Sequence, residues 1–138
     1  MQVDRNTGDT TTGRAEWFTG DVYLETITTP SGKSRLQMSN VHFTPGARTA
    51  WHTHPNGQNI YVTEGVGLAQ RRGADVELIR PGDRVFFEPG EDHWHGASAH
   101  RFMTHLSMVE ADADGNTAMW GEHVTDQEYS AAPPTKRQ

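Results

Sequence analysis

Turn signals punctuate this chain at short, fairly regular intervals, and that spacing limits what it can build. They are "PSG" at Pro30, "PG" at Pro45, "PNG" at Pro55, "RRGAD" at Arg71, "PGD" at Pro81 and "PGED" at Pro89. Between them lie short runs rich in β-branched and aromatic residues, such as "DVYLETIT", "RLQMSNVHF", "NIYVTEG", "VELIR", "DRVFFE" and "RFMTHLSMVE". Helices need longer uninterrupted stretches, so the pattern predicts an all-β sandwich or barrel. A chain of 138 residues with 33% apolar residues supports one compact core. No repeat or linker divides it, so a single domain is expected over residues 15–130. A flexible arm is expected over 1–14, and the "SAAPPTKRQ" end suggests a disordered tail over 131–138. One short C-terminal helix is predicted, because Thr125 and Glu128 in "TDQE" have the spacing of a capping box. The segment "MWGEHVTDQEY" then reads as a closing flap packed by Met119 and Trp120.

Composition removes several classes of function. The formal charge is −6, with no stripe of Lys and Arg, which argues against a nucleic-acid partner. The polar start has no apolar core of a signal peptide, and no apolar run approaches the ~18 residues of a membrane span. Cysteine is absent, so there is neither a disulfide framework nor a thiol site, in keeping with a cytoplasmic protein.

The chemistry concentrates in two segments. In "PGARTAWHTHPNGQNIYVTEGVG", Gly46 is followed by five residues, then His52, one residue, His54, three residues, Gln58, six residues and Gly65. On a strand, residues two apart share a face, so His52 and His54 point together. The "PNG" turn then brings Gln58 back beside them. In "RPGDRVFFEPGEDHWHGA", Gly82 opens a strand, "EPG" turns it, and His93 and His95 follow. Imidazoles and an amide oxygen suit a first-row divalent ion.

These segments resemble the two motifs of the cupin superfamily, with every spacing matched. Gln58 stands where cupins usually have Glu, and Glu88 stands where Pro is usual. The resemblance implies a small double-stranded β-barrel, or jelly roll, and a metal held by His52, His54, Gln58 and His93. It also implies a homodimer or homotetramer. Manganese is the first expectation, with iron, nickel, cobalt and zinc also compatible. Three neutral histidines and a neutral amide leave the ion's double charge uncompensated. That makes a stronger Lewis acid than a Glu-containing site and removes a carboxylate base. A base is then sought among the other histidines.

His105 lies in "RFMTHLSMV", where Met103, His105, Ser107 and Val109 share a face, and His95 shares the face of His93. His42, His100 and His123 read as structural, and Phe86 and Phe87 as packing. The stretches "PGARTAWHTHPNGQ", "PGEDHWHGA", "MTHL" and "EHVTDQEY" are similar to small bacterial cupins that act as manganese-dependent hydroxynitrile lyases. That resemblance implies His95 and His105 as catalytic residues in the pocket, with Ser39, Val41 and Val109 on its wall. The expected reaction splits an α-cyanohydrin, preferentially the R enantiomer, into a carbonyl compound and HCN. His105 is the expected base, and His95 the partner of substrate or leaving cyanide. Three rivals remain open: an Fe(II)-dependent dioxygenase, an isomerase acting on a sugar-derived acid, and a non-catalytic ligand sensor. The isomerase needs a cation in the pocket, for which Arg48 and Arg101 are candidates.

Overall fold

The computed structural model describes residues 1–5 and 8–132. Thirteen strands and one helix follow in chain order: β1 (Thr11–Thr12), β2 (Phe18–Thr19), β3 (Val22–Thr28), β4 (Leu36–Phe43), β5 (Arg48–Thr49), β6 (His52–Thr53), β7 (Gln58–Gly65), β8 (Gly67–Arg71), β9 (Glu77–Ile79), β10 (Arg84–Phe87), β11 (His93–Ala97), β12 (Met103–Glu110), β13 (Met119–Trp120) and α1 (Asp126–Ser130). Six strands form one antiparallel sheet in the order β1-β3-β4-β12-β7-β10. The other seven form the second sheet, β13-β6-β11-β5-β2, with β8 on the far side of β11 and β9 beyond it. The two curl into a cupin-like barrel.

Alternation along the strands sorts the side chains. On β7, Gln58, Ile60 and Val62 turn inward while Tyr61 and Thr63 face out. The core between the sheets includes Phe18, Val22, Val41, Phe43, Ile60, Val62, Ile79, Phe87 and Met103. Fully burying each large apolar side chain contributes about 1.5–3 kcal/mol. On β11 the alternation divides the "HWH" triplet. Trp94 leaves the barrel and joins Trp51, Leu68, Val76 and Val124 in a second cluster, against which Tyr129 packs. The indole N–H of Trp94 donates to Gln70 Oε1 at 2.7 Å. His93 and His95 take the opposite face, toward the barrel interior.

The helix is capped as its sequence predicts. Thr125 Oγ1 accepts from the Glu128 backbone N–H at 3.1 Å, and Glu128 Oε1 accepts from the Thr125 N–H at 2.9 Å. Arg48 holds this segment to the barrel: its guanidinium donates to Val124 O and to Asp126 Oδ1, and lies 4.5 Å over the Tyr129 ring. Met119 does not pack as expected. Pairing β13 against β6 turns it outward, where it is 74% exposed, and Trp120 alone covers the interior. Within the stretch read as a flexible arm, Thr11 and Thr12 pair with Leu24 and Tyr23, and Gly13 N–H donates to Val22 O. Of the tail read as disordered, residues 133–138 lie outside the described residues. Among the described residues, no helix is long and apolar enough to cross a membrane.

Candidate metal centre and cavity

A cavity of about 580 Å³ opens between the sheets. His52, His54, His95 and His105 line it, and His93, which is not among the lining residues, joins their cluster. His52 and His93 face each other across the β6–β11 pairing, with ring centroids 4.2 Å apart. His54 sits 4.9 Å from His52 and 5.3 Å from His93 by the same measure. Gln58, the first residue of β7, brings its Oε1 to 3.0 Å from His93 Nε2. All four side chains are buried.

Their hydrogen bonds determine which nitrogen is free. The Nδ1 atoms of His52, His54 and His93 lie 2.8, 2.7 and 2.8 Å from the carbonyls of Ala50, Thr117 and Glu91. A carbonyl only accepts, so each Nδ1 carries the proton and each Nε2 keeps its lone pair. Fixing one ring nitrogen on a backbone carbonyl is how proteins orient a metal-ligating histidine. His54 Nε2 is buried with no hydrogen-bond partner among the described residues. Burial lowers the pKa of all three, to about 3 for His93. They are therefore neutral at pH 7, the form that ligates. His52, His93 and His95 have ring nitrogens within 4.8 Å of one another, and such a buried triad can bind a divalent metal. It holds His95 where the sequence analysis expects His54, although only His54 shares with His52 and His93 an Nδ1 fixed on a backbone carbonyl. The donor set fits a first-row ion.

Beside the cluster lies a second histidine pair. His95 Nδ1 is 3.0 Å from His105 Nε2, and His105 Nδ1 is 3.1 Å from Leu106 O. The Leu106 carbonyl places the His105 proton on Nδ1. His105 Nε2 is then the acceptor, and His95 Nδ1–H the donor. His95 Nε2 is left buried and unpartnered among the described residues. Burial lowers both pKa values, that of His105 to about 4.

The structure brings His52, His54, Gln58, His95, His105, Ser39, Val41 and Val109 onto one cavity lining. Cross-strand register explains the wall: Val41 pairs with His105, and Ser39 with Ser107. Phe87 stacks on His93 at 3.7 Å, so this residue, read as packing, also touches the cluster. Trp120 stacks on His52 at 4.5 Å and on Trp17 at 5.1 Å. Trp17 and the Thr117 carbonyl escaped the sequence reading, since each reaches the site through long-range contacts, and the sequence places Ser107 only on the face of His105. Neither candidate arginine lines the cavity: Arg48 is turned to Asp126, and Arg101 is exposed. His42 is structural, bonded to Glu25 and Thr104.

Residues 39–108 match the family described as Cupin domain. The chain belongs to the cupin family. This cupin is 51% identical over 117 residues to a protein named (R)-mandelonitrile lyase from Granulicella tundricola, covering 85% of this chain and 88% of that one. It is 36% identical to a cupin-like protein of Thermotoga maritima, with a TM-score of 0.84 over 91% of this chain and 94% of the other. The polyketide cyclase RemF of Streptomyces resistomycificus shares the fold at 20% identity, with a TM-score of 0.69 over 94% of this chain and 92% of that one. The lyase relative supports an enzyme, and the histidine cluster supports a metal-binding one.

Proposed function

We propose that this cupin is a hydroxynitrile lyase that splits an α-cyanohydrin, preferentially the R enantiomer, into an aldehyde or ketone and HCN, and catalyses the reverse addition. The identity of 51% with a named (R)-mandelonitrile lyase, across 85% of the chain, carries this reading. The site chemistry agrees with it. His52, His54, Gln58 and His93 are the proposed ligands, because the three imidazoles present lone pairs fixed by backbone carbonyls and Gln58 adds an amide oxygen. A divalent ion there, with manganese proposed, supplies a Lewis acid that lowers the pKa of a substrate hydroxyl.

The chain's own groups then move the proton. His95 Nε2 takes the hydroxyl proton, and the His95 Nδ1 proton passes to His105 Nε2 over their 3.0 Å bond. The base expected of His105 is thus exercised through His95. The electron pair left on oxygen forms the carbonyl as the carbon–carbon bond to the nitrile breaks. Cyanide leaves with that bonding pair and regains a proton from the histidine pair, so HCN departs and both rings return to neutrality. Phe43, Trp17, Trp120 and Val109 give the cavity an apolar wall suited to an aryl substituent. Assembly as a homodimer or homotetramer through the sheet edges belongs to the same proposal.

Manganese-loaded protein and a metal-stripped control, each given racemic mandelonitrile, test the reading. Metal-dependent benzaldehyde release with consumption of the R enantiomer is expected. Release no faster than in the control refutes it.

A further inference from the structure

Gln58 differs from the histidines around it in one respect: its amide has an accepting end and a donating end, and a half-turn exchanges them. Its Nε2 donates to Ser107 Oγ at 2.9 Å, while its Oε1 lies 3.0 Å from His93 Nε2. His93 Nδ1–H is committed to the Glu91 carbonyl, so a neutral ring keeps only a lone pair on Nε2. Two acceptors therefore face each other with no proton between them. That arrangement is repulsive unless a cation lies against both. Turning the amide over relieves it differently: Nε2 donates to His93 Nε2, and Oε1 accepts from the Ser107 hydroxyl. A serine hydroxyl both donates and accepts, so Ser107 satisfies either orientation.

We propose that Ser107 is a positioning residue that sets the polarity of Gln58. With a cation in the site, Ser107 Oγ accepts from the amide, holds Oε1 toward the histidines, and keeps its own proton free. Ser107 lines the substrate cavity, so that proton is a hydrogen-bond donor available to the polar end of a substrate. Without a cation, the amide turns and the Ser107 proton is withdrawn into it. The site thus offers its serine donor to the cavity only when the metal is in place. This rests on the ligand set proposed above, and the histidine pair is not involved.

Mn(II) affinity of the full chain, followed by titration calorimetry and by the electron paramagnetic resonance of the ion, tests the idea without substrate. Ser107→Ala is expected to weaken Mn(II) binding about 10-fold or more, as loss of an outer-shell partner does. Ser107→Thr keeps the hydroxyl and is expected to retain more of the parent affinity than Ser107→Ala does. In a Gln58→Glu background both ends of the group are oxygens and orientation is immaterial. There Ser107 can only donate to the carboxylate, and Ser107→Ala is expected to lower the affinity by a smaller factor than in the Gln58 parent. Unchanged affinity in the first variant overturns the proposal. So does an equal loss in both backgrounds, because Ser107 would then support the ligand without setting the polarity of its amide. Failure of the parent chain to bind Mn(II) removes the ligand set and this proposal together. Absence of cyanohydrin cleavage with normal binding leaves the Ser107 test intact.

Discussion

Replacing Gly96 by alanine should damage both the barrel and the site, through backbone rather than side-chain crowding. Gly96 follows His95 on β11, opposite Arg48 of β5 and Leu68 of β8. A Cβ added there would press against Ala47 O and lie 2.6 Å from both Cα and Cβ of Arg48. None of these atoms is the free end of a flexible chain. Arg48 is also anchored by its bonds to Val124 O and Asp126, so β5 cannot simply drift away. Overpacking of this kind costs about 1–3 kcal/mol, and immovable neighbours place Gly96→Ala near ~3 kcal/mol. In a domain of this size each kcal/mol lowers Tm by about 3–5 °C, giving a loss of roughly 10 °C. Thermal unfolding by circular dichroism measures it, with Gly8→Ala as the control, since a Cβ at Gly8 meets nothing within 4 Å. Displacement of β11 also stretches the 3.0 Å contact between His95 and His105, so activity should fall beyond the loss of folded protein. A Tm within about 2 °C of the parent would refute the steric reasoning.

Three further outcomes are expected. His54→Ala removes a buried, unpartnered ring nitrogen of a proposed ligand and should lower Mn(II) affinity by at least the roughly 10- to 100-fold that loss of an outer-shell partner costs, read by calorimetry, with parent-like affinity counting against His54 as a ligand. His105→Ala should retain bound metal, measured by elemental analysis, yet lose cyanohydrin turnover; full activity would remove His105 from the proton path. Metal-free protein should lose stability as pH falls from about 6.5 toward 4. Unfolding lets buried His105 and His93 rise from folded values of about 4 and about 3 to the ordinary value, so the unfolded chain binds more protons in that window. A Tm that stays flat across the window would contradict it.

The residues most legible in the sequence are those whose roles are local. Gly65 and Gly82 stand at motif positions where the backbone takes φ of 80° and 93°, and a Cβ at Gly65 would run into the Phe102 carbonyl. His52 and His54 share a direction because strand alternation requires it, and the Thr125–Glu128 cap forms within one helical turn. Residues that act through the closed barrel were harder to read. Ser107 reaches Gln58 only because β12 lies beside β7, and the Thr117 carbonyl meets His54 across a separation of 63 residues. Met119 failed for a related reason. A two-residue strand sends neighbouring side chains to opposite faces, and nothing local indicates which one turns inward. The His105 role also depended on assembly, since only the folded structure shows both of its ring nitrogens already engaged.

The stacked rings at the cavity mouth give this protein a built-in optical reporter. Trp17 and Trp120 lie 5.1 Å apart with planes 9° from parallel, and Trp120 also stacks on His52. Indoles held that close and that nearly parallel couple their transitions, so their near-ultraviolet circular dichroism and fluorescence depend on the geometry of the stack. His52 ties that geometry to the histidine cluster, while Trp17 ties it to the N-terminal strands. Any ligand that shifts this stack is expected to change the near-ultraviolet signal of the unmodified chain.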